Sequence, residues 1–262
     1  MLKNKLSNVL DIIGQKKTLQ INLDDWFLAS YPRSGNTWIR LMIANLFFEN
    51  VKIDSLITLQ EYVPDIHFQK KARYKKINGK YKIVKTHNPF YEGLKNVLYI
   101  YRNPLDVAWS YFNFLKETGN SNPTDIDDFI KKNFDGSIAF GRWDEHVSSF
   151  FYEQKEKDNK IYFFQYEEIN KNPKLFLEAL TKIVHNPKSE KEIDEAIEKS
   201  SPQLVKQLTN DELFYGKKTP QFVTTPISGD SQLKQEFKRK YLDLFKKEIS
   251  IFDFDSNTLR LK

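Results

Sequence analysis

The sequence predicts an α/β fold, a central and mostly parallel sheet flanked by helices. Three observations lead there. Short apolar runs of strand length alternate with helical patterns along 262 residues, the order expected of strands joined by helical crossovers. Two of these runs, beginning at Trp26 and Val97, pass through a short polar turn straight into a helix. Each turn carries an arginine with hydroxyls or free amides. Parallel α/β sheets grip phosphate in this way, at strand carboxyl ends where a helix N-terminus faces the anion. Two such turns suggest a ligand with two separate anionic ends.

Residues 1–22 read as a weakly amphipathic lead-in, and 26–31 as a core strand. From Asn36 to Asn50 the chain is apolar nearly all round, broken by Arg40 and Asn45, so a deeply buried helix is expected. Residues 51–80 read as irregular, with Pro64, Asn78 and Gly79 as turn signals. Strands follow at 82–86 and 97–102. Asn103 suits an N-cap, Pro104 the first helical position, and Asp106 the positive end of the helix dipole; that helix runs to about Lys116. A loop occupies 117–124, helices 125–133 and 139–157, and a fourth strand 161–166. Helices are expected at 173–184 and 189–200. Residues 209–231, rich in Thr, Pro and Gly, form the longest irregular stretch, and a Lys-rich helix spans 232–249. No repeat or linker divides the chain, so 1–262 reads as one domain.

Composition narrows the function. The chain has no cysteine, which excludes disulfides, thiolate metal sites and cysteine nucleophiles. Its four histidines (67, 87, 146 and 185) show no HExxH spacing, so no metal is expected. The net charge of +6 fits an anionic ligand, but Lys is scattered among nearly as many acids, so a nucleic-acid partner is not expected. No apolar run approaches eighteen residues, so no membrane span is read, and MLKNKLSNVLDIIGQKKTLQ at the N-terminus has no apolar stretch of leader length, so no secretory leader is read and a cytoplasmic location is expected.

The first turn, PRSGNTW (32–38), offers Arg33, Ser34, Gly35, Asn36 and Thr37. Gly35 lets backbone N–H groups approach an anion, and the hydroxyls add donors. An ordinary strand–helix turn with Ser34 as N-cap is the plainer alternative. The pattern GxxxxGK[ST] is absent, which disfavours Mg²⁺-dependent phosphoryl transfer. In the second turn Arg102 stands at the strand end and Ser110 two helical turns on. Ser110 could back-bond to its own helix, and Arg102 could pair with Asp106. In KTHNP (85–89), Lys85 and His87 stand at i and i+2 near a strand end, so extended chain puts them on one side. A base and a cation would then converge, and imidazole suits general-base work near neutral pH.

Together these motifs resemble the PAPS-dependent sulfotransferases of the cytosolic type, where PAPS is 3′-phosphoadenosine 5′-phosphosulfate. The family signature close to YPKSGTTW stands as Tyr31–Trp38, and that close to YxxRNPKDVxxSYYxF as Tyr99–Phe114. The family's KTH[LF]P histidine matches His87. The resemblance implies a P-loop-like turn that binds the 5′-phosphosulfate, and Arg102 and Ser110 on the 3′-phosphate. It further implies Trp38 against adenine, and Tyr166 and Ser200 near the nucleotide. The implied reaction moves a sulfuryl group in line to an acceptor hydroxyl or amine, without metal. His87 would take the acceptor proton, Lys85 would stabilise the transferring group, and Arg33, Ser34 and Thr37 with the turn amides would hold the leaving phosphate of PAP.

Departures accompany the resemblance. Arg33 replaces the usual lysine and stays protonated as a planar fork. Asn36 replaces Thr, and Pro202 stands where the family often has Phe. The family's RKGxxGDW loop, whose Arg and Lys clamp the 3′-phosphate, aligns with Thr224–Ser231. Gly229 and Asp230 match, as does Phe222 upstream, but both cations and the tryptophan are missing. Lys217, Lys218 and Arg239 are the nearby cations, and weaker PAPS affinity is expected. The family's dimer motif KxxxTVxxxE is not recognisable, which leaves oligomeric state open.

The acceptor would be a small molecule or a glycan. EYVPDIHF (61–68) precedes the catalytic strand, making Tyr62 and His67 candidate contacts, with Phe90 and Tyr91 beyond it. Aromatics suit a sugar face, a phenol or a steroid alike. Three other readings compete: a nucleotide kinase of related fold, a non-catalytic module binding PAP or another nucleotide, and a basic RNA binder. The kinase lacks its Gly-Lys-Ser/Thr turn, the module is disfavoured by retained Lys85 and His87, and the RNA binder lacks a clustered cationic face.

Overall fold

A computed structural model describes residues 19–67, 74–117, 125–154, 158–209 and 232–251. Four parallel strands form the sheet: β1 (Trp26–Ser30), β2 (Ile83–Thr86), β3 (Asn96–Tyr101) and β4 (Lys160–Gln165), in the order β2-β1-β3-β4. Ala29 pairs with Thr86 on one side and Tyr99 on the other, and Tyr101 pairs with Gln165. The chain therefore leaves β1 in one direction and returns to its other side, and open α/β sheets bind ligands where the strand order reverses. The sequence reading of a largely parallel sheet is borne out.

Burial alternates between the sheet's two faces as a period of two requires. Trp26 and Leu28 of β1 join one apolar layer with α1 (Asn36–Phe47), α2 (Leu56–Tyr62), α7 (Pro173–Ile183), α8 (Glu190–Glu198) and α9 (Pro202–Thr209). Phe27 and Ala29 join the opposite layer with α3 (Pro104–Glu117), α4 (Ile126–Phe134), α5 (Trp143–Glu153), α10 (Gln232–Tyr241) and Phe245. Every residue of β1 and β2 is buried, as strands covered on both faces must be. Helix α1 is buried nearly all round, as its composition predicts, and Arg40 is accommodated by donating from Nε (3.0 Å) and Nη2 (2.6 Å) to the Val63 carbonyl.

Five sequence expectations are corrected. The supposedly irregular 51–80 contains α2, capped by the Ser55 hydroxyl accepting from the Thr58 N–H at 3.1 Å; its seven residues are too few for a clear period. Helix α5 begins at Trp143 and ends at Glu153, inside the expected 139–157. Residue 166 does not end β4 but opens α6 (Tyr166–Lys171), with no loop between. Helix α9 was not foreseen. The closing helix is two pieces, α10 and α11 (Lys246–Ile251). The chain turns between them so that Phe245 is buried against Phe134 (5.1 Å between ring centroids) while Leu242 and Leu244 stay exposed.

Candidate active site

Each strand delivers a residue to one edge of the sheet. The carboxyl end of β1 leads to the Pro32–Trp38 turn, β2 to His87, β3 to Arg102 and β4 to Tyr166. Among parallel strands these ends lie side by side, so residues far apart in sequence line one end of the sheet.

In the first turn Gly35 caps α1 in the left-handed region (φ 87°) without a side-chain cap bond, so Ser34 is not the N-cap. A β-carbon at Gly35 would lie 2.2 Å from the Tyr166 ring, so only glycine fits. Arg33 also takes a positive φ of 69°, which costs a non-glycine residue about 1–2 kcal/mol. That conformation accompanies a junction: Arg33 Nε donates to Ser110 Oγ at 3.0 Å, and the Arg33 carbonyl accepts from Arg102 Nη1 at 3.0 Å. The Arg33 guanidinium also lies over the Phe114 ring. Ser34 Oγ and Asn36 Oδ1 are buried and, among the described residues, find no hydrogen-bond partner; the Asn36 amide N–H donates to Ser30 Oγ. Leaving such groups unpaired costs about 1–3 kcal/mol each, so a polar partner reaching them would be favoured. Thr37 is half-buried in the first turn of α1.

The second turn follows the same logic. Asn103 Oδ1 accepts from Leu105 N–H at 3.0 Å and Asp106 N–H at 3.4 Å, the N-cap expected of it. Ser110 accepts from Arg33 rather than back-bonding. Arg102 lies over the Tyr166 ring (4.7 Å to the centroid), and its buried Nε has no hydrogen-bond partner among the described residues. Asp106 pairs with two lysines of α10, Lys234 at 2.7 Å and Lys238 at 3.1 Å. Burial opposes its charge, but Lys234, Lys238 and Arg102 outweigh burial and hold its pKa low. Nearby Glu167 accepts from the Asn103 N–H at 3.0 Å, and burial pushes its pKa up against the pull of Arg102.

Three of the four histidines meet at the end of β2. His87 Nδ1 lies 2.8 Å from the Ser30 carbonyl. A carbonyl only accepts, so Nδ1 carries the proton and Nε2 keeps its lone pair. The His87 N–H donates to His67 Nε2 at 3.0 Å, and the two rings stack at 6.0 Å. His146 Nε2 donates to the His87 carbonyl at 2.9 Å while its Nδ1 accepts from the Tyr99 hydroxyl at 2.8 Å. Phe140 sets its edge against both His67 and His87. Burial, with Lys85 adding to it, holds the His87 pKa well below the ordinary histidine value. Burial brings His67 and His146 down to about 4. All three imidazoles are therefore neutral near pH 7.

Lys85 turns to a partner the sequence did not reveal. Its Nζ is 2.9 Å from Asp65 Oδ2, in the short segment that lies beside β2 and exchanges hydrogen bonds with it (Lys85 N–H to Pro64 O, Ile66 N–H to Lys85 O). Burial lowers the Lys85 pKa against the pull of Asp65. Asp65 is held below the usual carboxylate range, because Lys85, Arg40 and the two imidazoles outweigh its burial.

The sequence-predicted residues thus divide. Arg33, Ser34, Gly35, Asn36, Trp38, Arg102, Ser110 and Tyr166 form one group, with Trp38 edge-on to Tyr166 at 6.3 Å. Lys85, His67 and His87 form a second. Ser200 lies behind the first group: its carbonyl accepts from Trp38 Nε1 at 2.9 Å, but its hydroxyl is buried, donating to Ala196 O and accepting from Asn45. Tyr62 is drawn into the α1 layer against Phe48, with its hydroxyl on Lys75, instead of joining the histidines. Phe90 packs edge-on against Phe150. Arg239 is exposed. Phe222, Lys217, Lys218 and Thr224–Ser231 lie outside the described residues. Sequence reasoning missed Asp65, His146, Tyr99, Lys234 and Lys238. Asp65 stands in the stretch EYVPDIHF, between the candidate contacts Tyr62 and His67, and that proximity was the available signal.

The profile of the sulfotransferase domain matches residues 23–249 of this chain. Human sulfotransferase 1E1 is 27% identical over 253 residues, 86% of this chain and 85% of that protein. Mouse sulfotransferase 1E1 is 30% identical over 154 residues, 53% of this chain and 52% of that protein, so this match spans about half of either protein. Among solved structures, the mouse sulfotransferase SULT7A1 complexed with PAP superposes with a TM-score of 0.62 at 22% identity, covering 97% of this chain and 91% of that one. Retinol dehydratase complexed with retinol and PAP superposes with a TM-score of 0.64 at 16% identity, covering 99% and 88%. Both share the fold. Among the described residues no helix is long and apolar enough to cross a membrane.

Proposed function

This chain belongs to the sulfotransferase family, and from that membership we propose that it transfers a sulfuryl group from PAPS to a hydroxyl or amine of a small-molecule or glycan acceptor. The observation that supports this reading best is the junction of the two anion turns. Arg33 reaches from the first to Ser110 of the second, and Arg102 reaches back to the Arg33 carbonyl. A ligand phosphorylated at both ends would thus meet one continuous set of donors.

The residues present fit such a nucleotide. Ser34 Oγ and Arg102 Nε are buried groups without hydrogen-bond partners among the described residues, and the uncapped start of α1 offers backbone N–H groups to an anion. Arg33, Ser34, Thr37 and the turn amides would hold the 5′ end, Arg102 and Ser110 the 3′-phosphate, and Trp38 and Tyr166 the base. Bound PAPS supplies an activated sulfuryl group with PAP as its leaving group. His87 then accepts the acceptor's proton at Nε2, which the Nδ1–Ser30 bond leaves as the basic nitrogen. Lys85, charged and anchored by Asp65, stabilises negative charge at the transfer site. Arg33 stays protonated and steadies the departing phosphate by charge alone. The work is positioning and electrostatic preorganisation. The cytosol is the proposed location, on the resemblance of the signature motifs to those of cytosolic-type sulfotransferases.

The test has two stages. PAP should raise the melting temperature and ATP with Mg²⁺ should not; the reverse result would favour a kinase. His87→Ala should then keep stabilisation by PAP while turnover falls by about 10²–10⁴-fold, the usual contribution of a general base. Acceptors are screened by mass spectrometry for an added sulfuryl group. A variant with full turnover would remove His87 from the chemistry.

A further inference from the structure

We propose that Lys234 and Lys238 of α10 supply the cations that read the nucleotide's 3′-phosphate, in place of the Arg-Lys pair absent from the late loop; this rests on the reading above. The two lysines stand at i and i+4, so their side chains leave α10 on one face. Both reach Asp106, Lys234 Nζ to Oδ1 at 2.7 Å and Lys238 Nζ to Oδ1 at 3.1 Å and Oδ2 at 3.2 Å. Asp106 and Ser110 stand at i and i+4 in α3 and so share one face, and Arg102 lies just before that helix begins. Arg102 is also close enough to lower the Asp106 pKa.

Two lysines therefore converge on one carboxylate at the start of the helix that Arg102 precedes. Like charges four residues apart on a helix repel, and Asp106 and the nearby Glu167 bring two carboxylates against the three cations Lys234, Lys238 and Arg102. Such a cluster is better satisfied by a further anion. A phosphate next to Arg102 and Ser110 would supply it, with Arg102 Nε buried and lacking a hydrogen-bond partner among the described residues. Asp106 serves as the tether that keeps both ammonium groups at the turn, and both lysines retain part of their solvent exposure (21% and 34%), so they can adjust onto a ligand. The specificity for a 3′-phosphorylated nucleotide then resides in the helix after the late loop.

The test compares the dissociation constants of PAP and 5′-AMP, which lacks the 3′-phosphate, by calorimetry. The unaltered protein should bind PAP much more tightly. Lys234→Gln and Lys238→Gln should each weaken PAP by about tenfold, as loss of one charge-assisted contact does, and 5′-AMP by less than twofold. The double Gln variant should lose most of the preference, and the double Arg variant should keep it. Lys240→Gln, on the same helix but paired with Asp127, should leave the ratio unchanged. A folded double Gln variant that still prefers PAP, or that loses both ligands equally, overturns the assignment of these lysines. Failure of the unaltered protein to bind PAP at all would instead overturn the sulfotransferase reading, and this proposal with it.

Discussion

Lys85 Nζ lies 2.9 Å from Asp65 Oδ2, and both side chains are buried, at 7% and 12% exposure. Removing one partner of such a pair strands a buried charge and costs about 3–5 kcal/mol, whereas replacing both with apolar groups of similar size is often neutral. Asp65→Asn should therefore destabilise the fold in urea by a few kcal/mol, and Asp65→Leu/Lys85→Met should recover most of that loss. Turnover should stay low in the double variant because the cation is gone. Equal stability of the single and double variants would show that the pair is not coupled.

Gly35 has no room for a β-carbon. Its φ of 87° and the 2.2 Å approach to Tyr166 both oppose Gly35→Ala, the first alone by about 1–2 kcal/mol. Relief by moving Tyr166 would also disturb the ring beneath Arg102. Gly35→Ala should weaken PAP by more than tenfold in a binding titration, and adding Tyr166→Ala should restore part of the lost stability without restoring affinity. Unchanged affinity in Gly35→Ala would mean the turn amides do not approach the anion.

The first-turn arginine gives a separate prediction. Arg33 joins the two turns through Nε, an atom lysine lacks. Arg33→Lys keeps the charge and loses that tie, so PAP affinity should fall by about threefold to tenfold, less than for Arg33→Ala. Ser110→Ala should cost less affinity once Arg33 is Lys than in the unaltered protein, because the Arg33–Ser110 contact is then already absent and only the serine's own phosphate contact is left to lose. Additive losses in the double variant would place Arg33 and Ser110 in independent roles.

The parallel sheet and both strand–turn–helix units were legible because strand, turn and helix adjoin in sequence, and local spacing encodes them. His87 was legible through its strand-end position. Asp65 was not, since it meets Lys85 only because a segment twenty residues upstream lies along β2. Helix α6 was hidden by following β4 without a break. Lys234 and Lys238 looked like two more surface lysines in a Lys-rich helix, and only the packing of α10 against α3 puts them on Asp106. The split between α10 and α11 escaped a periodic reading, because Phe245 is buried by a turn rather than by a continued helix.

Burial of neutral His146 should make the protein acid-sensitive. Its folded pKa of about 4 lies below the unfolded value of 6.5. A histidine with a depressed pKa contributes stability that is complete above 6.5 and is lost as pH falls toward 4, because the unfolded chain binds the proton first. At 1% exposure, protonation costs on the order of 3 kcal/mol. Urea unfolding at pH 7, 6 and 5 should show this fall, and His146→Gln, which can donate to the His87 carbonyl and accept from Tyr99, should make it shallower, with His67 and His87 supplying the remainder. Parallel profiles for the two proteins would exclude His146 as the source.

Under the proposed function, with His87 as the base, the same environment sets the pH dependence of turnover. His87 must be neutral to accept a proton, and burial followed by Lys85 lowers its pKa while Asp65 raises it. The acid limb of kcat/KM, which reports the free enzyme, should therefore lie well below pH 6.5. The neighbouring charges fix the direction of two variants. Lys85→Met removes a like charge and should move the limb up by about one pH unit, although the overall rate is lower. Asp65→Asn removes an opposing charge and should move it down. Rates measured from pH 5 to 8 decide the matter: an acid limb near 6.5 that neither variant displaces would mean that the titrating base is not His87.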